Sequence, residues 1–468
     1  MLLHMSLAKR MLFVAAGLFL LIAVACWGYW MFRQYRANQT PIPRDATSVV
    51  RIHLDGLIRD IAWNALWHSA AYDRDTTERS SITFSLNKWK QPGIPIPANL
   101  FLYQVNHPLS NEFPDVYFGS LAVDNPTGFA TWLHDNLGMA ISNSDLGTVA
   151  YSEQALVIIQ PNRALFALSP SKPKADINGL TDVLANMLQQ FGGSVAVSKS
   201  DFREIIHDNG QVNVRGAHRL SIDFKKGLVT FNGRHNMEYV PEQLESTPNF
   251  ADSNAVSLWV QGSLMNFLSG RQFDIGGHVL HGDSLLYHYS GYTAVEWKGS
   301  VIQQDTIVNF DYDDNFELIE TQEIVDKSVP EIYCSVFADT MLIGYLRQQG
   351  LLDIPGYTIN RDALPLFRLG VTATPDGYVQ FHTADGALAL PAPSSRNRDI
   401  LYLRVNFNEL HLPDLPTDLV RYVRVADLLE LSGQPASADE VVISGTLRMK
   451  DQRLHSLIQL LAPPNEGR

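Results

Sequence analysis

A serine beside an acidic residue, two histidines three apart and a run of carboxylates are the groups in this chain whose type and spacing could do chemistry. Ser284 lies in "HGDSLLYH", and Gly-Asp-Ser-Leu is a block in which a serine can serve as the nucleophile of ester hydrolysis. Such a serine needs a base to take its proton and donors to hold the oxyanion. An Asp-x-x-His pair usually supplies the base, and none occurs here; Asp451 and His455 stand one residue too far apart. Four-letter blocks are common by chance, so a structural element at Ser284 outweighs an esterase site. His278 and His281 carry imidazoles able to bind zinc, yet on a strand that spacing points them to opposite faces, and only a loop would converge them with His288. Asp311 and Asp313 share one strand face in "DYDDNFELIE", an oxygen set that a hard cation could use. Phe316 stands where a calcium-binding loop needs glycine, which favours a charged turn between strands.

Other chemistries lack their residues. The two cysteines, Cys26 and Cys334, are far apart and in unlike surroundings, which argues against a disulfide and against zinc sites that need cysteine pairs. No Gly-rich phosphate loop and no His-Glu-x-x-His is present, and no cofactor is implied. The formal net charge of -13, with no basic stripe interleaved with aromatics, argues against a nucleic-acid partner.

The elements that would position these groups begin with an anchor. Met11–Phe32 reads "MLFVAAGLFLLIAVACWGYWMF" without a charge. As a helix it spans roughly 33 Å, the thickness of a bilayer's hydrocarbon core. Trp27, Tyr29 and Trp30 close it with rings that prefer the interface. Cleavage after Ala23-Val24-Ala25, or lipidation at Cys26, stays open as an alternative to a retained helix. Arg33, Arg36 and Arg44 outnumber Lys9 and Arg10, which runs against an exported C-terminal part. A short tail before one long body nevertheless has the form of a signal anchor. The expected plan is a cytoplasmic tail at 1–10, a transmembrane helix at 11–32 and a polar, proline-bearing tether at 33–43.

Beyond the tether, "PRDATSVVRIHLDGLIRDI" reads as a strand turning into a helix. Val50, Ile52 and Leu54 alternate with Arg51 and His53, Asp55 follows as a cap, and Leu57, Ile58, Ile61 and Ala62 recur at helical spacing. Strand-then-cap recurs with Leu258 and Val260 before Ser263, with Cys334 and Val336 before Asp339, and with Leu403 and Val405 before Asn408. The spacing is uneven, so the expected plan is two related lobes, 44–243 and 249–462, rather than a solenoid. "GFATWLHDNLG" reads as a short helix closed by Gly138, "GTVAYSEQALVIIQPNRALFALSP" as a strand meander, and 175–191 as an amphipathic helix. The fold class is therefore α+β: an N-terminal transmembrane helix, then two strand-rich lobes of antiparallel sheet with helices packed on one face.

The Pro43-x-Asp45-Ala46-x-x-Val49-Val50 start after an anchor resembles a family of cell-envelope proteins, a domain of unknown function found chiefly in Bacteroidetes-type bacteria. "VPEIYCSVFADTMLIGYL", "NFDYDDNFE" and "GTLRMKDQRLHSLIQLL" resemble later blocks of it. The resemblance implies an envelope location and brings no reaction and no catalytic residues. The sequence thus points to a non-enzymatic binding or scaffolding protein, held by Met11–Phe32 in the inner membrane with its body in the periplasm. Its partner would be an envelope protein, peptidoglycan or lipid. A serine hydrolase at Ser284 and a lipid-binding cavity protein are the alternatives.

Overall fold

In the computed structural model, the described residues are 7–72, 93–105, 116–169, 177–189, 193–236, 245–262, 264–312, 318–353, 357–386, 388, 390, 398–410, 417–437 and 439–461. The chain divides into two units, one formed by 1–67 with 81–223 and the other by 68–80 with 224–468.

The first unit opens with the helix α1, Leu7–Asn38. Strand β1 (Pro41–Pro43) follows, then β2 (Ala46–Ile52) and helix α2 (Leu54–Trp67). Next come β3 (Leu100–Val105), β4 (Tyr117–Ala122), helix α3 (Pro126–Leu137), β5 (Ala140–Ser144), β6 (Gly147–Tyr151), β7 (Ala155–Ile159) and β8 (Arg163–Leu168). Helix α4 (Ile177–Gln189), β9 (Ser194–Ala196), β10 (Val212–Arg215) and most of β11 (His218–Lys225) complete it, the last two residues of β11 counting with the second unit. The sheet is antiparallel throughout, in the order β11-β10-β2-β3-β4-β8-β7-β6-β5. β1 pairs separately with β9.

Period-two alternation builds a core on each face of this sheet. Phe101, Tyr103, Phe118, Leu156, Ile158 and Leu165 meet Leu180, Val183 and Leu184 of α4 on one side. Val157, Ile159, Ala164 and Phe166 meet Phe129 and Leu133 of α3 on the other. The α+β, antiparallel reading holds, and the helix layer expected on one face is present on both. α3 begins at Asn125, whose side chain accepts the Gly128 N–H, and ends at Gly138 with φ 64°, a left-handed turn that a Cβ would strain.

A sheet covered on both faces changes the reading of β2. Arg51 was placed by alternation on the polar side; it is buried, as are Val49 and Val50. Its charge is held by the carbonyls of Ile205 (2.8 Å), Ile206 (2.9 Å) and Asp208 (3.1 Å) and by Asn99 Oδ1 (3.2 Å). Buried cations survive only with such donors satisfied.

The second unit contains β12 (Leu228–Asn236), β13 (Val256–Gln261), β14 (Gln272–Ile275), β15 (His278–His281), helix α5 (Gly282–His288), β16 (Tyr289–Tyr312) and β17 (Leu318–Ala338). Helix α6 (Met341–Gln348), β18 (Leu352–Asp353), β19 (Thr358–Ile359), β20 (Gly370–Ala373), β21 (Tyr378–His382), β22 (Leu401–Asn406), β23 (Ala426–Pro435) and β24 (Glu440–Met449) follow. Its antiparallel order is β12-β24-β23-β22-β13-β16-β17-β21-β20-β19-β18. α6 packs Leu342 and Leu346 onto Val371 and Val379. Trp259, Tyr292, Phe337 and Tyr378 form an aromatic row across four adjacent strands, in which Tyr292 and Phe337 stack at 4.7 Å, Trp259 meets Tyr292 tilted and Tyr378 meets Phe337 edge-on.

The strand-then-helix succession appears fully at β2–α2 and β17–α6. After β13 it is a single turn, Met265–Leu268, and after β22 the chain makes a turn at Asn408 with the next described helix at Thr417–Val423.

Candidate functional site

The residues singled out for chemistry do not assemble into one centre. Ser284 lies half-buried in the short helix α5. Packing explains its neighbours. A Cβ on Gly282 would sit 1.8 Å from the Leu268 carbonyl oxygen, so only glycine fits, and Asp283 Oδ1 accepts the Gly270 N–H at 3.0 Å. His278 Nδ1 lies 3.1 Å from the Gln349 carbonyl, whereas exposed His281 uses its backbone N–H to donate to the Tyr345 hydroxyl. They occupy the two ends of β15, opposite Ile275 and Gln272. Asp311 falls in β16, with its side chain outside the described residues, and Asp313 lies wholly outside them. Among the described residues, no three His, Cys, Asp or Glu side chains converge in a way that could hold a metal.

One pairing was not legible in sequence. His288, one helical turn after Ser284, places Nδ1 2.9 Å from Asp339 Oδ1, which also accepts the Met341 N–H that opens α6. The two residues are 51 apart in sequence, with β16 and β17 between them. Only the antiparallel register, which sets Tyr289 opposite Ala338, brings them together. Among the described residues no hydrogen bond joins Ser284 to a histidine.

The more elaborate constellation lies where α1 meets the first unit. Gly17–Asn38 is, among the described residues, the helix long and apolar enough to cross a membrane. Its side chains are exposed from Leu18 to Phe32 and become half-buried at Arg33 and Gln34. The segment expected to be a tether is structured instead: 33–38 continue α1, and 41–43 form β1. Arg33 donates to Asp55 through Nη2 (2.8 Å) and Nε (3.3 Å), and to the Ile96 carbonyl (3.0 Å). Gln34 Nε2 reaches Asp55 Oδ2 at 3.3 Å and lies 3.4 Å from His53 Nε2. Asn99, 2% exposed, is the hub. It accepts from Arg51 and donates to Gln34 Oε1 (2.9 Å) and Asn38 Oδ1 (3.2 Å). Gln39 donates to Ser198 Oγ at 3.1 Å. Asp55, expected as a helix cap, spends its carboxylate on α1 because α2 already begins at Leu54.

The joint's charges bear on His53. Its pKa is held below the ordinary histidine value, first by burial and then by the Arg51 and Arg59 cations, against the opposing pull of Asp55 and Asp60. Neutral His53 can accept the Gln34 amide hydrogen at Nε2; protonated His53 cannot.

Nothing in this arrangement supplies a nucleophile or a metal set. What it does is fix an apolar helix to a folded unit. Comparisons with known proteins add little. No protein-family model matches the chain, and no curated protein matches it. Two solved structures align to part of it: crystal form I of TP0453, at 12% identity over 43% of this chain and 81% of that one with a TM-score of 0.25, and crystal form IV of TP0453, at 11% identity over 42% and 81% with a TM-score of 0.26. Likeness at that level establishes neither a family nor a shared fold.

Proposed function

We propose that this chain is a membrane-anchored cell-envelope protein that works by binding or scaffolding. The observation that carries the reading is the joint: an apolar, solvent-exposed helix runs without a break into a buried polar network of the first unit. About 9 Å of helix, at 1.5 Å per residue, separates Phe32 from Asn38, so the body would sit directly on the membrane surface. In the reading proposed here the membrane is an inner membrane, the body is periplasmic, and its partner is another envelope protein, peptidoglycan or lipid. The sequence resemblance to an envelope family points the same way.

The long hairpin of β16 and β17 offers a contact surface. Val301–Tyr312 and Leu318–Val329 pair with each other and, among the described residues, with no third strand. Ile302 and Ile324 are exposed on it. Flotation of the full chain with lipid vesicles, resistance to alkaline extraction, and reporter fusions at the C-terminus test anchoring and orientation. Crosslinking in intact cells then identifies the partner. A chain that stays in the soluble fraction, or a reporter active only in the cytoplasm, refutes the reading.

The His288–Asp339 pair favours one second reading, a hydrolase with Ser284 as nucleophile, His288 as base and Asp339 orienting it. Covalent labelling by a fluorophosphonate probe, lost in Ser284→Ala, would support it; unlabelled protein excludes it.

A further inference from the structure

The outward face of α2 is unusually apolar. Positions 58, 59, 62, 63, 66 and 67 are exposed, and all but Arg59 are apolar: Ile58, Ala62, Trp63, Leu66 and Trp67. Trp63, Leu66 and Trp67 are 63%, 68% and 66% exposed. The inward side carries buried Leu57 and Asn64 with half-buried Asp60, Ile61 and Ala65, so it mixes polar and apolar groups, and Asp60 Oδ2 accepts from Gln211 at 2.7 Å. Spacing alone placed Ile58 and Ala62 on a core face; the structure turns both outward. The Trp63 and Trp67 rings meet edge to face at 5.7 Å and stay open to solvent. With each indole about two-thirds bare and about 150–250 Å² in full, the stripe amounts to a few hundred Å² of contiguous apolar surface, the size of patch that is often functional.

The place of the stripe identifies its cover. Asp55, in the first turn of α2, is the residue that grips Arg33, the first residue beyond the apolar span of α1. Ile58 begins the stripe about 4.5 Å further along the α2 axis, and Trp67 ends it about 18 Å along, at 1.5 Å per residue. The stripe therefore starts at the level where α1 leaves the hydrocarbon, and the stripe's chemistry, two tryptophans with leucine, isoleucine and an arginine, is that of an interfacial helix. We propose that α2 lies in the interface of the same bilayer that α1 enters, with Trp63, Leu66 and Trp67 among the lipid headgroups, giving the first unit a second membrane contact. This rests on the anchoring reading above.

The test uses the full chain with Cys26→Ser and Cys334→Ala, carrying a solvatochromic thiol label at Trp67→Cys or at Asp135→Cys, an exposed site on α3. The protein is reconstituted with phosphatidylethanolamine–phosphatidylglycerol vesicles containing nitroxide lipid. Flotation reports α1 separately. The expected result is blue-shifted emission and at least about twofold stronger lipid quenching at 67 than at 135, with aqueous iodide quenching reversed. Equal quenching at both sites in protein that floats overturns the inference while leaving the anchor intact. A label at 67 shielded from iodide but untouched by nitroxide lipid also overturns it, since a protein partner would then cover the stripe. Protein that does not float fails the anchoring reading and the inference together.

Discussion

Replacing Asn99 by alanine should release the end of α1 from the first unit. The side chain makes three hydrogen bonds, one from Arg51 and one each to Gln34 and Asn38. A hydrogen bond contributes about 1 kcal/mol net, and a buried donor left unpaired costs about 1–3 kcal/mol. Arg51 keeps its three carbonyl partners, so its loss falls at the low end. The joint should therefore weaken by about 2–3 kcal/mol, a roughly 30- to 140-fold rise in the population of the opened state. Trypsin cleavage after Arg36 reads that population, because the protease needs an unwound segment and reclosing is fast. Asn38→Ala, which removes a single bond, should raise cleavage only about fivefold. Amide exchange in β7, at the core of the sheet, should not change in either variant. Cleavage within twofold of the parent for Asn99→Ala, or loss of β7 protection in parallel, would refute the claim that Asn99 holds the joint.

Three further outcomes follow from the same geometry. His53, depressed below its ordinary value of about 6.5, binds more protons unfolded than folded, so its contribution is complete above that value and is lost as pH falls below it. Intrinsic-rate-corrected hydrogen exchange at 34–40 should therefore quicken on acidification from pH ~7.5 to ~5.5, and His53→Gln should flatten the response. Burial pushes the thiol of half-buried Cys334 up to about 11, so alkylation at pH ~8 should run on the order of 100-fold slower than for an exposed cysteine, read by intact mass. Gly282→Ala drives a methyl into the Leu268 carbonyl and should cost about 1–3 kcal/mol in denaturant unfolding of the second unit.

Local chemistry was readable and remote pairing was not. Gly138 announced the end of α3, the strand meander announced β6, β7 and β8, and the amphipathic pattern of 175–191 announced α4. Each of these depends on residues within a few positions. The segment from Arg33 to Asn38 read as a tether because its partners, Asp55 and Asn99, lie 22 and 61 or more residues away. Arg51 read as a solvent residue because alternation cannot tell a sheet covered on both faces from one covered on a single face. His288 and Asp339 became neighbours only through the long pairing of β16 with β17.

The unbroken passage from α1 into its polar seat leaves no hinge between anchor and body. A helix in a bilayer thinner than its apolar length leans, and one in a thicker bilayer stands upright. With a flexible linker that lean would be absorbed. In the anchoring reading proposed above it would instead be transmitted, so that the first unit would incline with α1 as membrane thickness changes, to the extent that the proposed contact of α2 with the bilayer permits.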